Sequence, residues 1–298
     1  MAKFKSVLTW SFSRSRLFQE CRRAYYYNYY ASWGGWEAKA DEFCRKAYIL
    51  KNMQNVDTWV GDMVHQLIKW VLEQRIKGTE ITYEEAANRA KRNLTWTWEQ
   101  SRSEMWRENV KKNLNLFEHY YKQEPDREEL FTKMQKVTKS LHAIYNSGIL
   151  ATISSLPKEN VLAMDELDSF QFEGVKVFAV PDFALKKENY IMFDWKTGKP
   201  SEKDRQQLSL YILYAMEKWK VSLENIRIVP VYLAQPEVSF TPVAPVAPEE
   251  MRSFIRSSLK AMRSVLSDPA QNKADPELCF KTEEAWRCNK CKFREICS

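Results

Sequence analysis

The pattern of apolar positions starts as a helix. Behind hydroxyl capping candidates at Ser11, the residues Leu17, Phe18, Cys21, Ala24 and Tyr25 recur at helical spacing, which sets Cys21 on the inner face of a first helix. Residues 60–145 are rich in Glu, Lys, Arg, Trp and Leu, with no proline before Pro125, and read as several helices packed on one another; one of them carries Gly61 and His65. The texture changes near Val161. Three strand-like runs follow, VLAMDELDSFQF, VKVFAVPDFAL and YIMFDWKTG, separated by Glu-Gly and Lys-Glu-Asn turns, and they predict a three-stranded antiparallel meander with Glu166 on its first strand. A helix over SEKDRQQLSLYILYAMEKWK places Leu208, Tyr211, Ile212 and Ala215 on one side, and the strand IRIVPVYLA comes after it. Residues 236–247, with Pro236, Pro242 and Pro245 around a short apolar run, read as an edge strand. A last amphipathic helix, MRSFIRSSLKAMRSVL, leads to a cysteine-rich tail.

Composition narrows the class. With 298 residues, 44% apolar and 29% charged, the chain can bury a sizeable core, and only 7 glycines and 11 prolines argue against long disordered linkers. Its net charge of +7 permits binding to a polyanion without demanding it. No stretch reaches the roughly 18 apolar residues of a membrane helix. The N-terminus shows no signal-peptide core, so the expectation is a cytoplasmic protein without a membrane partner. Under reducing conditions the six cysteines are then available for metal ligation, reactivity or burial rather than disulfides.

The candidate chemistry lies in VPDFALKKENYIMFDWKTGK. Asp194 and Lys196 are two apart on a predicted strand and project from one face, while Asp182 stands at or near the end of the neighbouring strand. Two carboxylates brought together by a hairpin make a hard, oxygen-lined site of the kind that holds Mg²⁺ or Mn²⁺, and the lysine can orient water or stabilise phosphorane-like charge. Taken alone, such a motif also describes a solvated hairpin with a surface ion pair. The tail adds Cys288, Cys291 and Cys297 as C-x2-C-x5-C, three thiols suited to a soft metal, with Cys21 or Cys279 as the fourth ligand; Cys44 reads as merely buried.

The order PD…DxK, the extension DWKTGK, Gln207-x-x-x-Tyr211 on the next helix and an upstream Gly61-x-x-x-His65 resembles the RecB-like branch of the PD-(D/E)XK nucleases, including AddB-type recombination nucleases and CRISPR-associated exonucleases. The resemblance covers the first helix, residues 58–70 and residues 160–298. It implies an α/β fold with a restriction-endonuclease-like core, a mixed central sheet flanked by helices, in a single nuclease domain over 1–298 with a helical insertion at 71–155 and a cysteine-rich metal-cluster tail at 279–298. It implies metal ligation by His65, Asp182, Asp194 and the main-chain carbonyl of Trp195, catalysis by Asp182, Asp194 and Lys196, and DNA positioning by Gln207 and Tyr211. One or two Mg²⁺ or Mn²⁺ ions would serve the reaction. It favours Cys21 over Cys279 as partner of Cys288, Cys291 and Cys297 around a structural [4Fe–4S] cluster, with Zn²⁺ as the alternative. The implied partner is DNA, single-stranded or with free ends, with a helicase or CRISPR integrase as a further candidate. RNA as substrate and a noncatalytic DNA-binding or scaffolding subunit are the alternatives.

Elsewhere the aromatic and basic residues have structural readings. Trp33, Trp36, Trp96, Trp98 and Trp106 could stack on unpaired bases, but with 11 tryptophans most belong to the core. Arg14, Arg16, Arg22 and Arg23 read as a solvated helix face, and His119 and His142 lack ligand-spaced partners.

Overall fold

A computed structural model of the chain describes residues 6–234, 240, 242–243 and 247–297. In chain order come β1 (Thr9–Ser11), α1 (Phe12–Glu20), α2 (Arg22–Tyr26), α3 (Glu42–Lys51), α4 (Val56–Ile76), α5 (Tyr83–Arg102), the short α6 (Phe117–Tyr120), α7 (Arg127–Asn146) and α8 (Ile149–Ser154). They are followed by β2 (Val161–Ala163), β3 (Ser169–Phe172), β4 (Val175–Phe178), β5 (Phe183–Lys186), β6 (Tyr190–Lys196), α9 (Glu202–Trp219), β7 (Ile226–Tyr232), α10 (Pro248–Arg263), β8 (Leu266–Asp268), β9 (Lys273–Ala274) and α11 (Ala285–Asn289). The chain divides into two compact units, one of Met1–Met53, Ser169–Ala179 and Glu249–Ser298, the other of Gln54–Asp168 and Val180–Pro248.

The second unit is built on a mixed sheet of order β2-β5-β6-β7, in which β5 and β6 pair antiparallel and β6 and β7 parallel. Pro230 lies within β7, which is at the edge of this sheet among the described strands, so the proline need not donate to a further one of them. Helix α4 opens with Asn55 accepting the Thr58 N–H. Its apolar positions Trp59, Val60, Met63, Val64, Leu67, Ile68, Val71 and Leu72 recur at three- and four-residue steps and are all buried, in one cluster with Phe183, Phe193, Trp195 and Val231 of the sheet. Cutting Leu67 or Ile68 back to alanine there costs about 2–5 kcal/mol. Helix α9 is apolar nearly all round in its middle, with Leu208, Leu210, Tyr211, Ile212, Leu213, Tyr214 and Ala215 all buried, rather than on one side only.

The first unit holds a three-stranded sheet of order β1-β4-β3, with β1 parallel to β4 and β3 antiparallel to it. Its core includes Trp10, Tyr25, Val177, Ile255, Leu259 and Phe293. The indole of Trp10 donates to Ser258 Oγ at 3.0 Å, and Ser15 Oγ stands 2.8 Å from the same hydroxyl, so α10 is tied to the N-terminal segment by polar as well as apolar contacts.

Several expectations are revised. The three-stranded meander is two separate hairpins, β3–β4 and β5–β6, in different sheets; the break falls at Val180–Pro181, where proline removes a ladder donor and restricts the residue before it. Cys21 is not on the face of one continuous helix. Ser11 caps α1 by accepting from Arg14 N, but Cys21 adopts an extended conformation (φ −164°, ψ 110°) that ends α1 and starts α2, and its Sγ accepts from the Ala24 N–H at 3.4 Å. Glu166 lies beyond the end of β2 rather than on a strand. Arg14 is 4% exposed, not solvated, with its guanidinium donating to Thr9 Oγ1 and Tyr25 Oη and lying over the Tyr29 ring. The edge strand expected over 236–247 falls largely outside the described residues, although Val243 N–H donates to Ile228 O at 3.0 Å.

Candidate active site

Hairpin β5–β6 brings the acidic residues together through its register. Phe183 pairs with Phe193, so extending the ladder by one residue sets Asp182 across from Asp194. Alternation along β6 turns Asp194 and Lys196 to one face and Phe193 and Trp195 to the other, where those two rings stack at 5.7 Å. The backbone N–H of Trp195 donates to Asp182 Oδ2 at 2.7 Å, fixing that carboxylate at the strand end. From α4, His65 reaches the same group, with Nδ1 3.1 Å from Asp182 Oδ1. Gly61 is one turn before it, next to Thr197 Oγ1.

The lysine is held in a closed ring of contacts. Lys196 Nζ lies 2.7 Å from Asp194 Oδ2 and donates to Gln207 Oε1 at 3.0 Å. Gln207 Nε2 donates to the Tyr211 hydroxyl at 3.1 Å, and that hydroxyl shares its proton between Val180 O at 3.0 Å and Asp194 Oδ1 at 3.2 Å. Gln207 and Tyr211 are four apart on α9, so one helix face supplies both links. Asp194 Oδ2 is buried, and the Lys196 ammonium neutralises it as an ion pair.

Charge follows from this crowding. Burial first, and then the neighbouring Asp182 carboxylate, push the Asp194 carboxyl above the usual range, against the opposing pull of Lys196. For His65, burial opposes the charged ring, but the Asp182 hydrogen bond and charge, with Asp194 and Asp62 adding to it, raise it to about 9. Lys196 is likewise held above its ordinary value, because Asp194 outweighs the cost of burial.

These side chains border a cavity of about 320 Å³. Two further carboxylates border it that the sequence reading did not single out. Asp165, rather than its neighbour Glu166, faces the cavity, and it adopts φ 44°, a left-handed conformation that aspartate tolerates better than most residues. Asp204 stands 3.5 Å from Lys196 Nζ while accepting from the Ser201 N–H and hydroxyl at the start of α9. The Ser201-x-x-Asp204 spacing was readable as a cap, but its contact with Lys196 depends on how α9 packs on β6.

In the first unit, Cys21, Cys288, Cys291 and Cys297 border one cavity of about 750 Å³, which Cys279 does not reach. Cys279 is fully buried, and burial above all pushes its thiol up to about 11. Burial likewise raises Cys291, to which the Cys21, Cys297 and Cys288 thiols add. All six cysteines are free. Among the described residues, no three His, Cys, Asp or Glu side chains are arranged to ligate one ion as they stand.

No helix among the described residues is long and apolar enough to cross a membrane. No curated protein matches the chain. The PD-(D/E)XK nuclease superfamily matches it over residues 9–298, a span that takes in the β5–β6 hairpin with Asp182, Asp194 and Lys196, the α9 pair and the C-terminal cysteines, and the chain belongs to that superfamily.

Proposed function

We propose that the chain is a metal-dependent nuclease that hydrolyses DNA phosphodiester bonds, acting exonucleolytically on single-stranded ends. The observation that carries this reading is the Lys196–Asp194 pair, locked by Gln207 and Tyr211 and set across the hairpin from Asp182, which His65 of α4 also reaches. The donor set suits a hard divalent cation: two carboxylates repel each other in a buried place, with the one Lys196 ammonium set against them. His65, Asp182, Asp194 and the main-chain carbonyl of Trp195 would hold Mg²⁺ or Mn²⁺. When bound, such an ion supplies Lewis acidity and a water of lowered pKa.

The chain's own residues do the rest. Lys196 keeps its proton and places a positive charge where negative charge builds on the phosphoryl oxygens. Gln207 and Tyr211 hold the lysine and Asp194 in register, so little reorganisation is needed as that charge develops. Burial of Asp194 and Tyr211 keeps bulk water from screening these interactions.

In the first unit, the four thiols around one cavity support a structural [4Fe–4S] cluster, with Zn²⁺ as the alternative occupant. The test of the nuclease reading is cleavage of end-labelled single-stranded DNA, and of the matched RNA strand, with Mg²⁺ or Mn²⁺. Lys196→Ala and Asp194→Ala are expected to abolish cleavage while the fold persists. Full activity in either variant would remove the site, and equal cleavage of RNA would remove the preference for DNA.

A further inference from the structure

Beside the candidate active site, a second and larger cleft of about 970 Å³ runs between α5, α7 and the ends of β6 and β7. Thr197, the residue after Lys196, borders both this cleft and the active-site cavity, so the two adjoin at the end of β6. Helix α7 contributes Lys136, Lys139, His142 and Asn146 along one wall, and no carboxylate borders the cleft among the described residues. Steps of three and four residues put these side chains on one face over ten residues, about 15 Å of helix at about 1.5 Å per residue. Lys139, His142 and Asn146 are exposed, and Lys136 forms a loose ion pair to Asp57 at 3.7 Å between half-exposed side chains. Tyr83, from the first turn of α5, stands edge-on to His142 at 5.6 Å and 83°, which adds an aromatic pair to the basic wall.

We propose that this cleft is the binding track for single-stranded nucleic acid leading to or from the cleavage site, with Lys136 and Lys139 on phosphates and His142 with Tyr83 against a base. The reading deepens the nuclease proposal and rests on it for direction, not for binding. Each feature answers to a property of an unpaired strand. Two ammonium groups about one helical turn apart suit neighbouring phosphates, and an exposed ring beside a phenol suits a base whose face is free. A cleft whose lining among the described residues holds no carboxylate repels the polyanion less than the acidic cavity beyond Thr197 would without a cation.

The experiment uses the full chain in EDTA and reads fluorescence anisotropy of labelled oligo(dT), so that binding is measured without cleavage. Lys136→Glu with Lys139→Glu is expected to weaken binding at least tenfold, and the milder Lys136→Gln with Lys139→Gln to lower the slope of log affinity against log salt by about 1.4, at about 0.7 per phosphate contact. His142→Ala is expected to weaken oligo(dT) while leaving that slope unchanged. In cleavage, the double glutamine variant raises KM for a long oligonucleotide with kcat unchanged and leaves a dinucleotide substrate unaffected. Unchanged anisotropy in all three variants overturns the cleft, as does equal weakening of a blunt duplex, which would make the contact a general phosphate patch. Binding that depends on the cleft in a chain that never cleaves would overturn the nuclease reading and keep this one.

Discussion

Tyr211, 3% exposed on α9, directs its hydroxyl at Asp194 Oδ1 across 3.2 Å. A phenol buried this deeply is expected to serve the site through what it holds. Tyr211→Phe removes the shared proton and leaves Gln207 Nε2 without its acceptor, at a cost of about 1–3 kcal/mol for buried groups left unpaired. The expected outcome is a lower melting temperature and a lower kcat with KM for DNA little changed. A rise in KM at constant kcat would instead return Tyr211 to direct contact with the strand.

Divalent metal should stabilise the fold, because it relieves the repulsion between Asp182 and Asp194. At an ion concentration about 100 times its Kd, the gain is about 2.7 kcal/mol. Thermal melts with and without Mn²⁺ are expected to separate for the wild type and to coincide for Asp182→Ala. Equal Mn²⁺ shifts in both proteins would place the ion elsewhere.

Strand alternation puts Asp194 and Lys196 on one face and helical periodicity pairs Gln207 with Tyr211 and Gly61 with His65, but the choice of His65, Gln207 and Tyr211 as site residues rests on the family resemblance and not on spacing. The part that escaped depends on tertiary packing. Asp165 and Glu166 are adjacent acids, and only the left-handed turn at Asp165 decides which faces the cavity. Asp204 reads as a helix cap, and its approach to Lys196 follows from where α9 lies on β6. The split of the predicted meander was signalled by Pro181, but the pairing of β4 with β1, from the far N-terminus, has no local signature. Arg14 lies in a run of polar residues and is nonetheless buried, since three tyrosines of the following turns, Tyr25, Tyr29 and Tyr30, surround it.

The proposed cluster assigns Cys21 and Cys279 different roles, which iron analysis can tell apart. Cys21→Ser, at the break between α1 and α2, is expected to strip iron and visible colour from anaerobically purified protein. Cys279→Ser is expected to keep both but to lower stability by about 1–3 kcal/mol, since it buries a hydroxyl where a fully enclosed thiol sits. Iron lost on Cys279→Ser and retained on Cys21→Ser would reverse the ligand assignment. Stoichiometric zinc in colourless protein would replace the cluster.

The pH dependence of stability on the acid side should run through His119. Its Nδ1 is 2.8 Å from Ser101 Oγ, and that oxygen accepts from the Leu116 N–H, while Nε2 is buried with no hydrogen-bond partner among the described residues and the ring lies against Trp98 at 4.3 Å. A protonated ring would present two N–H groups to a single neighbour. Burial accordingly lowers the His119 pKa, so the folded chain binds fewer protons than the unfolded chain between the folded value and about 6.5. Its contribution is fully present above about 6.5 and is lost as pH falls below it, at no more than about 1.4 kcal/mol per pH unit for one proton. His65 has the opposite sign: it is raised to about 9, so its contribution holds below about 6.5 and fades as pH climbs through about 9. His119→Gln keeps a polar partner for Ser101 and removes the titration, so urea midpoints at pH 7 and pH 5 are expected to lie closer together in the variant than in the wild type. The same midpoint shift in both proteins would show that His119 stays neutral, or charges at no cost, across this range.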